Sequence, residues 1–153
     1  MIQFTHTLAV NQPNQPALDL TQIWNGLILR IIEQPRFTPG LDRVELLEQN
    51  PPEQPTRYRR ALHFGEHVVC DAVSITPQQS IEFVTEANDA TPSGRLLIEV
   101  NPDLSLTLSY ATEFPEASSA EEEQLLGMVQ AAYHAADVDM IRIIRECALS
   151  VRH

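Results

Sequence analysis

Residues 59–71, RRALHFGEHVVCD, contain the pattern that decides the fold. Two runs of strand-forming residues flank the dipeptide Gly65-Glu66, which suits a two-residue type II′ turn with glycine at its first position. Such a turn places Arg60 directly opposite Asp71, on a face that is otherwise largely apolar. The stretch therefore predicts an antiparallel hairpin with one charged pair on its inner face.

Five further segments show the alternation of apolar and polar residues that is typical of strands. The separators are rich in Asn, Pro, Asp and Ser, which favour turns, so consecutive strands are expected to pair as an antiparallel meander. Turns near residues 77 and 102 predict that Phe83 lies opposite Asp71 and that Leu108 lies opposite Leu96. The expected strands are 2–10, one beginning at Val44, 56–64, 67–75, 79–87, 94–101 and 104–114.

Two helices are expected, one after the first strand and one at the C-terminus. The first covers about residues 20–33, with Asp19 or Thr21 as its N-terminal cap. The second spans roughly thirty residues and begins at a capping box in which Ser118 stands three positions before Glu121. The simplest arrangement lays this long helix across the concave face of the sheet.

The C-terminal helix carries an apolar stripe with small residues at its centre. Its members recur at spacings of three and four, which predicts that they face the sheet. The alanines either let the sheet approach closely or leave a hollow above it, and a strongly curved sheet favours the hollow. The stripe comprises Leu125, Val129, Ala132, Ala136, Met140, Ile143 and Cys147.

The composition is that of a single globular domain covering residues 1–153. A net charge of −11 and scattered basic residues argue against binding to nucleic acid or to an anionic membrane surface. No apolar run approaches the length of a membrane span, the N-terminus does not resemble a signal peptide, and the two cysteines fit no disulfide framework. We expect a cytoplasmic protein, a monomer or a weak homodimer, without a cofactor.

Four stretches of the chain carry a family resemblance. They are FTHT at 4–7, LTQIWNGL at 20–27, FTPGLD at 37–42 and RALHFG at 60–65. Together they resemble the AtaL-like family of the SRPBCC (START-like, birch-pollen-allergen-like) superfamily. The resemblance implies an α+β helix-grip fold, in which a curved seven-stranded antiparallel sheet wraps around a long C-terminal helix, with a short helical segment after the first strand. It also implies a hydrophobic cavity, and no catalytic residue is carried over from it.

Arg60 and Asp71 are the most unusual pair on the predicted inner face. Cross-strand partners lie about 5 Å apart at Cβ, so a salt bridge can offset the cost of burying the arginine. We interpret the pair first as a structural clamp, and an anchor for a polar group of a ligand is the open alternative. His6, on the inner face of the first strand, is either a general base or a hydrogen-bonded core histidine. The expected ligand-contacting residues are His6, Tyr58, Arg60, Asp71, Phe83, Thr85, Leu108, Tyr110, Ala132, Ala136 and Met140.

Other polar side chains are interpreted as structural. Tyr133, His134, Asp137 and Asp139 are expected to form a solvated face of the C-terminal helix, with Asp139 able to reach the rim of a pocket. The two histidines of the hairpin lie on opposite faces of it, so no metal site is expected.

Three functions are compatible with this pattern. The favoured one is a binding protein for a small hydrophobic or amphipathic ligand held between the sheet and the C-terminal helix. The first alternative is a cavity enzyme of the cyclase, dehydratase or isomerase type that uses His6 and the Arg60–Asp71 pair. The second alternative is a module that binds a protein partner through an exposed apolar patch.

Overall fold

A computed structural model of the chain describes residues 1–113 and 119–150, and the side chain at position 122 is not described. Within these residues, seven strands form one antiparallel sheet in the order β1-β7-β6-β5-β4-β3-β2. With the two helices they make the predicted α+β helix-grip fold, which is confirmed. The elements are β1 Ile2–Leu8, α1 Leu20–Ile32, a 3-10 turn at Gln34–Arg36, β2 Arg43–Asn50, β3 Arg57–Phe64, β4 His67–Thr76, β5 Ser80–Thr85, β6 Gly94–Val100, β7 Leu106–Thr112 and α2 Ser119–Ser150.

The β3–β4 hairpin has the predicted register. Gly65 takes a φ of +60°, which the first position of a type II′ turn requires and which glycine adopts without strain. Phe64 pairs with His67, and further along the hairpin Arg60 pairs with Asp71. The stretch that predicted the fold therefore forms as expected, including its buried charged pair.

The β4–β5 hairpin differs from its predicted register by two residues. Val73 lies opposite Phe83, and Asp71 lies opposite Thr85 instead of Phe83. The predicted turn comprises residues 76–78, whereas the observed one comprises residues 77–79, with Gln78 at a φ of +60° in its centre. A shift of two residues preserves which side chains face inward, so Phe83 and Thr85 both still lie on the inner face.

The β6–β7 hairpin deviates in the same way. Leu108 pairs with Ile98 rather than with Leu96, and Leu96 pairs with Tyr110. Leu104, at a φ of +69°, belongs to the turn, so β7 begins two residues later than predicted. The last residue of the predicted strand, at position 114, lies outside the described residues. The shift places Tyr110 where Leu108 was expected, on the same face of the sheet.

Helix α1 begins at a capping box and closely approaches α2. Asp19 is the cap: its Oδ1 accepts a 2.8 Å hydrogen bond from the Gln22 N–H, and its own N–H donates to Gln22 Oε1 at 2.9 Å. Further along the helix, a Cβ added at Gly26 would lie 2.6 Å from Ile144 Cγ2. The absence of a side chain at Gly26 therefore sets how closely the two helices approach.

Helix α2 presents a different face to the sheet from the one predicted. Ala132 and Ala136 are exposed, so the expected alanine-centred inner stripe is wrong in this half of the helix. The inward positions are Asp137, which is buried, and Tyr133, which is half-buried; they continue from buried Met140 at spacings of three and four. An apolar pattern assigns a carboxylate to solvent, whereas here hydrogen bonds make its burial tolerable.

The C-terminal half of α2 packs into a core formed with α1 and the inner face of the sheet. The described part of α2 begins at Ser119, and the predicted cap, Ser118, lies outside the described residues. Neither of the described α-helices is long and apolar enough to cross a membrane.

Candidate functional site

A cavity of about 190 Å³ lies between the inner face of the sheet, the C-terminal end of α1 and the middle of α2. Five residues predicted to contact a ligand line it: Arg60, Asp71, Phe83, Thr85 and Tyr110. The rest of its lining was not predicted and consists of Arg30, Gln34, Leu62, Gly94, Arg95, Leu96, Thr112 and Tyr133. The predicted part of the wall lies entirely on the sheet, whereas the missed part comprises five further sheet residues together with Arg30 of α1, Gln34 of the 3-10 turn and Tyr133 of α2.

Five other predicted contact residues lie away from this cavity. Leu108 and Met140 are fully buried in the core, where other side chains surround them. Ala132 and Ala136 are exposed on α2. Tyr58 is buried on β3 and borders a separate groove beside α1. The sixth residue outside the lining, His6, belongs to a polar cluster on the neighbouring strands.

The Arg60 side chain is held rigidly at the cavity wall. It donates from Nε to Asp71 Oδ1 at 3.0 Å and from Nη2 to Asp71 Oδ2 at 2.6 Å. A third hydrogen bond, from Nη1 to the carbonyl oxygen of Ile31, is 2.7 Å long and joins the sheet to α1. Arg60 is 1% exposed and Asp71 is 2% exposed, so each charge is stabilised by the other instead of by water.

Arg30 lies in the last turn of α1 and contributes a second guanidinium to the cavity wall. Its Cζ is 4.8 Å from the centroid of the Phe83 ring, while Arg60 Cζ is 5.3 Å from the same centroid. Burial lowers the pKa of the Arg30 guanidinium, and the positive charge of Arg60 lowers it further. Among the described residues none accepts a hydrogen bond from Arg30 or forms an ion pair with it.

A second polar cluster joins α2 to β1 and β7. Asp137 accepts a 2.6 Å hydrogen bond from the Tyr110 hydroxyl, and its other oxygen lies 2.6 Å from His6 Nε2. Burial raises the pKa of Tyr110, and the charge of Asp137 raises it further, so the phenol keeps its proton. Tyr110 stacks on Tyr133 with ring centroids 3.8 Å apart, and this aromatic pair lines the cavity. His6 and Asp137 lie behind that wall, outside the lining.

The predicted solvated face of α2 is correct only in part. Asp137 is 2% exposed and Tyr133 lines the cavity, so the prediction is wrong for both. His134 is exposed, as predicted. Asp139 lies outside the cavity lining and forms a 2.6 Å ion pair with Arg142 on the same helix.

Gln34, in the turn after α1, adds a polar group to the wall. Its Nε2 donates to Thr38 Oγ1 at 3.3 Å. Its Oε1 is buried and has no hydrogen-bond partner among the described residues. The described residues hold no group of three side chains arranged to bind a metal ion. The polar groups of the cavity wall are therefore three guanidiniums, one carboxylate, an amide and hydroxyl groups.

The missed residues Arg30 and Asp137 do carry a signal in the sequence. Arg30 follows buried Leu27 by three positions and buried Ile23 by seven, and Asp137 precedes buried Met140 by three. These are the spacings of an inward helical face. An ionisable residue at such a position is normally assigned to solvent, and only the tertiary structure shows that a partner or a cavity receives it.

A comparison with models of protein families identifies the family of this chain. The family model described as "AtaL: Acetylaranotin biosynthesis cluster protein L" matches residues 4–150. The chain belongs to the AtaL family. A comparison with curated proteins found none that matches this chain in sequence.

Solved structures share the fold of this AtaL-family chain. The di-domain ARO/CYC StfQ from the steffimycin biosynthetic pathway is 11% identical with a TM-score of 0.67, over 98% of this chain and 52% of StfQ. The Zhui aromatase/cyclase from a Streptomyces species is 15% identical with a TM-score of 0.56, over 96% of this chain and 92% of that one. A START superfamily protein from Mycobacterium smegmatis is 12% identical with a TM-score of 0.54, over 95% and 97% respectively. The chain spans about half the length of StfQ, and these similarities show the fold.

Proposed function

We propose that this AtaL-family protein binds a small amphipathic molecule in the cavity beside Phe83. The observation that carries the proposal is the cavity itself, whose wall combines aromatic and apolar side chains with a few fixed polar groups. That combination is typical of small-molecule sites. The volume of about 190 Å³ suits a ligand the size of one aromatic ring, since an apolar cavity of about 150 Å³ accommodates benzene.

The geometry of the wall supports binding without a large rearrangement. Three hydrogen bonds hold Arg60, and its partner Asp71 is held in return. Tyr110 is fixed by its hydrogen bond to Asp137 and by its stacking on Tyr133. Groups that are already ordered lose little conformational entropy when a ligand arrives, so they favour binding.

Filling the cavity tests this function. Thr85 lines the cavity and its neighbour Val84 is 41% exposed, so Thr85→Trp fills the cavity and Val84→Trp is the matched control. Amide NMR spectra of the wild-type protein are recorded with a panel of single-ring aromatic compounds. We expect at least one compound to shift the amides of Phe83, Leu96 and Tyr110 in the wild type and in Val84→Trp, but not in Thr85→Trp.

Two results would contradict the function. One is a panel in which no compound shifts the cavity amides of the wild-type protein. The other is a binding compound that shifts them equally in Thr85→Trp. Thermal unfolding of both tryptophan variants establishes that each is folded at the temperature of the titration.

A second candidate is a cavity enzyme of the cyclase, dehydratase or isomerase type. The observation that favours it is the cluster of Asp137 with His6 and Tyr110, which places an imidazole and a phenol next to the cavity wall. An imidazole can remove a proton next to a carbonyl while a protonated phenol donates a hydrogen bond to that carbonyl, and the candidate requires the substrate to reach past the Tyr110–Tyr133 pair to His6. The structure separates His6 from the Arg60–Asp71 pair, so this version of the hypothesis replaces that pair with Asp137 as the partner of His6.

Proton exchange tests the enzymatic candidate without a known substrate. Acetophenone is incubated with the protein in heavy water, and deuterium in its methyl group is followed by NMR. The candidate predicts exchange above the rate in buffer, which His6→Gln abolishes and which the exposed control His67→Gln keeps. Exchange at the buffer rate in the wild-type protein would remove the support for this candidate.

A further inference from the structure

Arg30 differs from the other interior arginines in having no hydrogen-bond acceptor among the described residues. Arg60 donates hydrogen bonds to Asp71 and to a backbone carbonyl, and Arg145 donates to the carbonyl oxygens of Val10 and Pro16. Arg30 is half-buried, and no described residue accepts a hydrogen bond from it. A buried guanidinium ordinarily has an acceptor, so one without an acceptor at a cavity wall marks a place for an external one.

Two carboxylates lie near Arg30, but both accept hydrogen bonds from other side chains and neither accepts one from Arg30. Both oxygens of Asp71 accept hydrogen bonds from Arg60. The two oxygens of Asp137 are engaged by Tyr110 and His6. The carboxylates of Asp71 and Asp137 therefore already hydrogen-bond to other side chains.

Among the described residues, the lining of the cavity carries one positive charge that has no ion-pair partner. Its charged members are three arginines and Asp71. Arg60 is neutralised by Asp71, and Arg95 forms a 2.6 Å ion pair with Glu82. Arg30 remains as the unpaired cation, in a protein whose net charge is −11. A cation at this place in an acidic protein is suited to select the charge of what enters the cavity.

We propose that Arg30 binds the carboxylate of a monocyclic aromatic acid, with the ring of the acid held against Phe83 and the stacked Tyr110–Tyr133 pair. This inference rests on the proposed function and names the chemical class of its ligand. The planar guanidinium matches a carboxylate in two parallel hydrogen bonds, and such charge-assisted bonds are the strong ones. The aromatic wall supplies favourable contacts to the faces and edges of the ring.

The positive charge of Arg30 also favours an anionic ligand over a neutral one. The Phe83 ring is shared by two guanidiniums, and the charge of Arg60 lowers the pKa of Arg30 while that of Asp71 raises it. The negative charge of a bound carboxylate offsets the desolvation that lowers the pKa of Arg30. A neutral ligand of the same shape provides no such relief, so charge is expected to discriminate between otherwise similar rings.

Benzoate and benzamide are the probes, because they have nearly the same shape and differ in charge. Their affinities are measured by NMR titration of the cavity amides at neutral pH for the wild-type chain, Arg30→Gln and the control Arg57→Gln, which alters an exposed arginine of β3. We expect benzoate to bind the wild type and Arg57→Gln about tenfold more tightly than benzamide, or better. In Arg30→Gln the two affinities become equal, through the loss of benzoate affinity alone.

Three outcomes would overturn the inference, and they are distinguishable. If benzamide binds in the cavity as tightly as benzoate, the ligand class is wrong and the proposed function stands. If the preference for benzoate persists in Arg30→Gln, another group recognises the carboxylate. If neither probe nor any single-ring compound shifts the cavity amides, the proposed function fails as well. Should Arg30→Gln not fold, Arg30→Lys replaces it, and the expected result is a weakened preference for benzoate, since the charge remains and the planar fork is lost.

Discussion

Arg60 and Asp71 form a bidentate ion pair across β3 and β4, with both side chains almost completely buried. The hydrogen bond from Arg60 to the carbonyl of Ile31 extends this link to α1. The geometry agrees with the interpretation of the pair as a clamp. The pair also borders the cavity, so the same residues give the ligand site a fixed wall.

Removing one member of the buried pair should be costly. Asp71→Ala leaves the Arg60 guanidinium buried without its counter-ion, and we expect the free energy of unfolding to fall by about 3–5 kcal/mol. Urea denaturation measures the change. Glu86→Ala is the control, because Glu86 pairs with the exposed Arg59 and such pairs contribute little. The double variant Arg60→Leu/Asp71→Leu should be more stable than Asp71→Ala, and a less stable double variant would show that the cost does not come from the uncompensated charge.

The buried carboxylate of α2 should stabilise the fold through its two hydrogen bonds. Asp137→Ala leaves the Tyr110 hydroxyl and the His6 ring without their acceptor, and we expect a loss of about 3 kcal/mol in unfolding free energy. Asp139→Ala, two positions along the same helix, removes only a surface ion pair and serves as the control. Equal losses in the two variants would contradict the assignment of Asp137 to the interior.

The raised pKa of Tyr110 predicts how stability changes at alkaline pH. In the unfolded chain a tyrosine ionises near its ordinary pKa of 10.0, whereas the folded chain keeps this proton to higher pH. The unfolded state therefore binds fewer protons above pH 10, and the unfolding free energy falls there by up to about 1.4 kcal/mol per pH unit from this group. Denaturation curves at several alkaline pH values should show that the unfolding free energy falls less steeply with pH in Tyr110→Phe. The control Tyr133→Phe keeps Tyr110 and its hydrogen bond to Asp137, so its unfolding free energy should fall about as steeply as that of the wild type. An unchanged slope in Tyr110→Phe would show that other groups cause it.

The contact between the two helices should not tolerate a side chain at Gly26. The new Cβ of Gly26→Ala would lie 2.6 Å from Ile144 Cγ2, so Ile144 has to move. We expect thermal unfolding to show a loss of about 1 kcal/mol or more, after allowance for the better helix propensity of alanine. Gly127→Ala, where nothing lies within 4 Å of the added Cβ, should be neutral or stabilising. A stable Gly26→Ala variant would mean that the helices adjust freely.

The arrangement of strands was predictable because turn chemistry and alternation act locally. Gly65 determines its hairpin, and the Arg60–Asp71 pairing follows by counting. The β4–β5 hairpin was misjudged by two residues because its turn lies one position further along the chain, at residues 77–79. The β6–β7 hairpin was misjudged by two residues because Leu104, which is not glycine, adopts a positive φ and lengthens its turn. The inner face survived both errors, since side chains alternate with a period of two.

The part of the site formed by the helices was not predictable from apolar pattern alone. Arg30 and Asp137 occupy inward helical positions, where apolar side chains are normally expected. Asp137 is tolerated because His6 and Tyr110, on two neighbouring strands that are far apart in sequence, converge on it. Such long-range convergence is a property of the tertiary structure. The cytoplasmic location and the monomeric or weakly dimeric state stay predictions.

The most direct test of the ligand-binding function is a crystal structure of the protein grown with benzoate. The account predicts electron density for the ligand between Phe83 and Tyr133, with its carboxylate within hydrogen-bonding distance of the Arg30 guanidinium. A second groove lies between α1 and α2, where Gly26, Leu29 and Ile144 line it. Benzoate density confined to that groove or to the surface, with the cavity beside Phe83 filled by water, would contradict the proposed binding site.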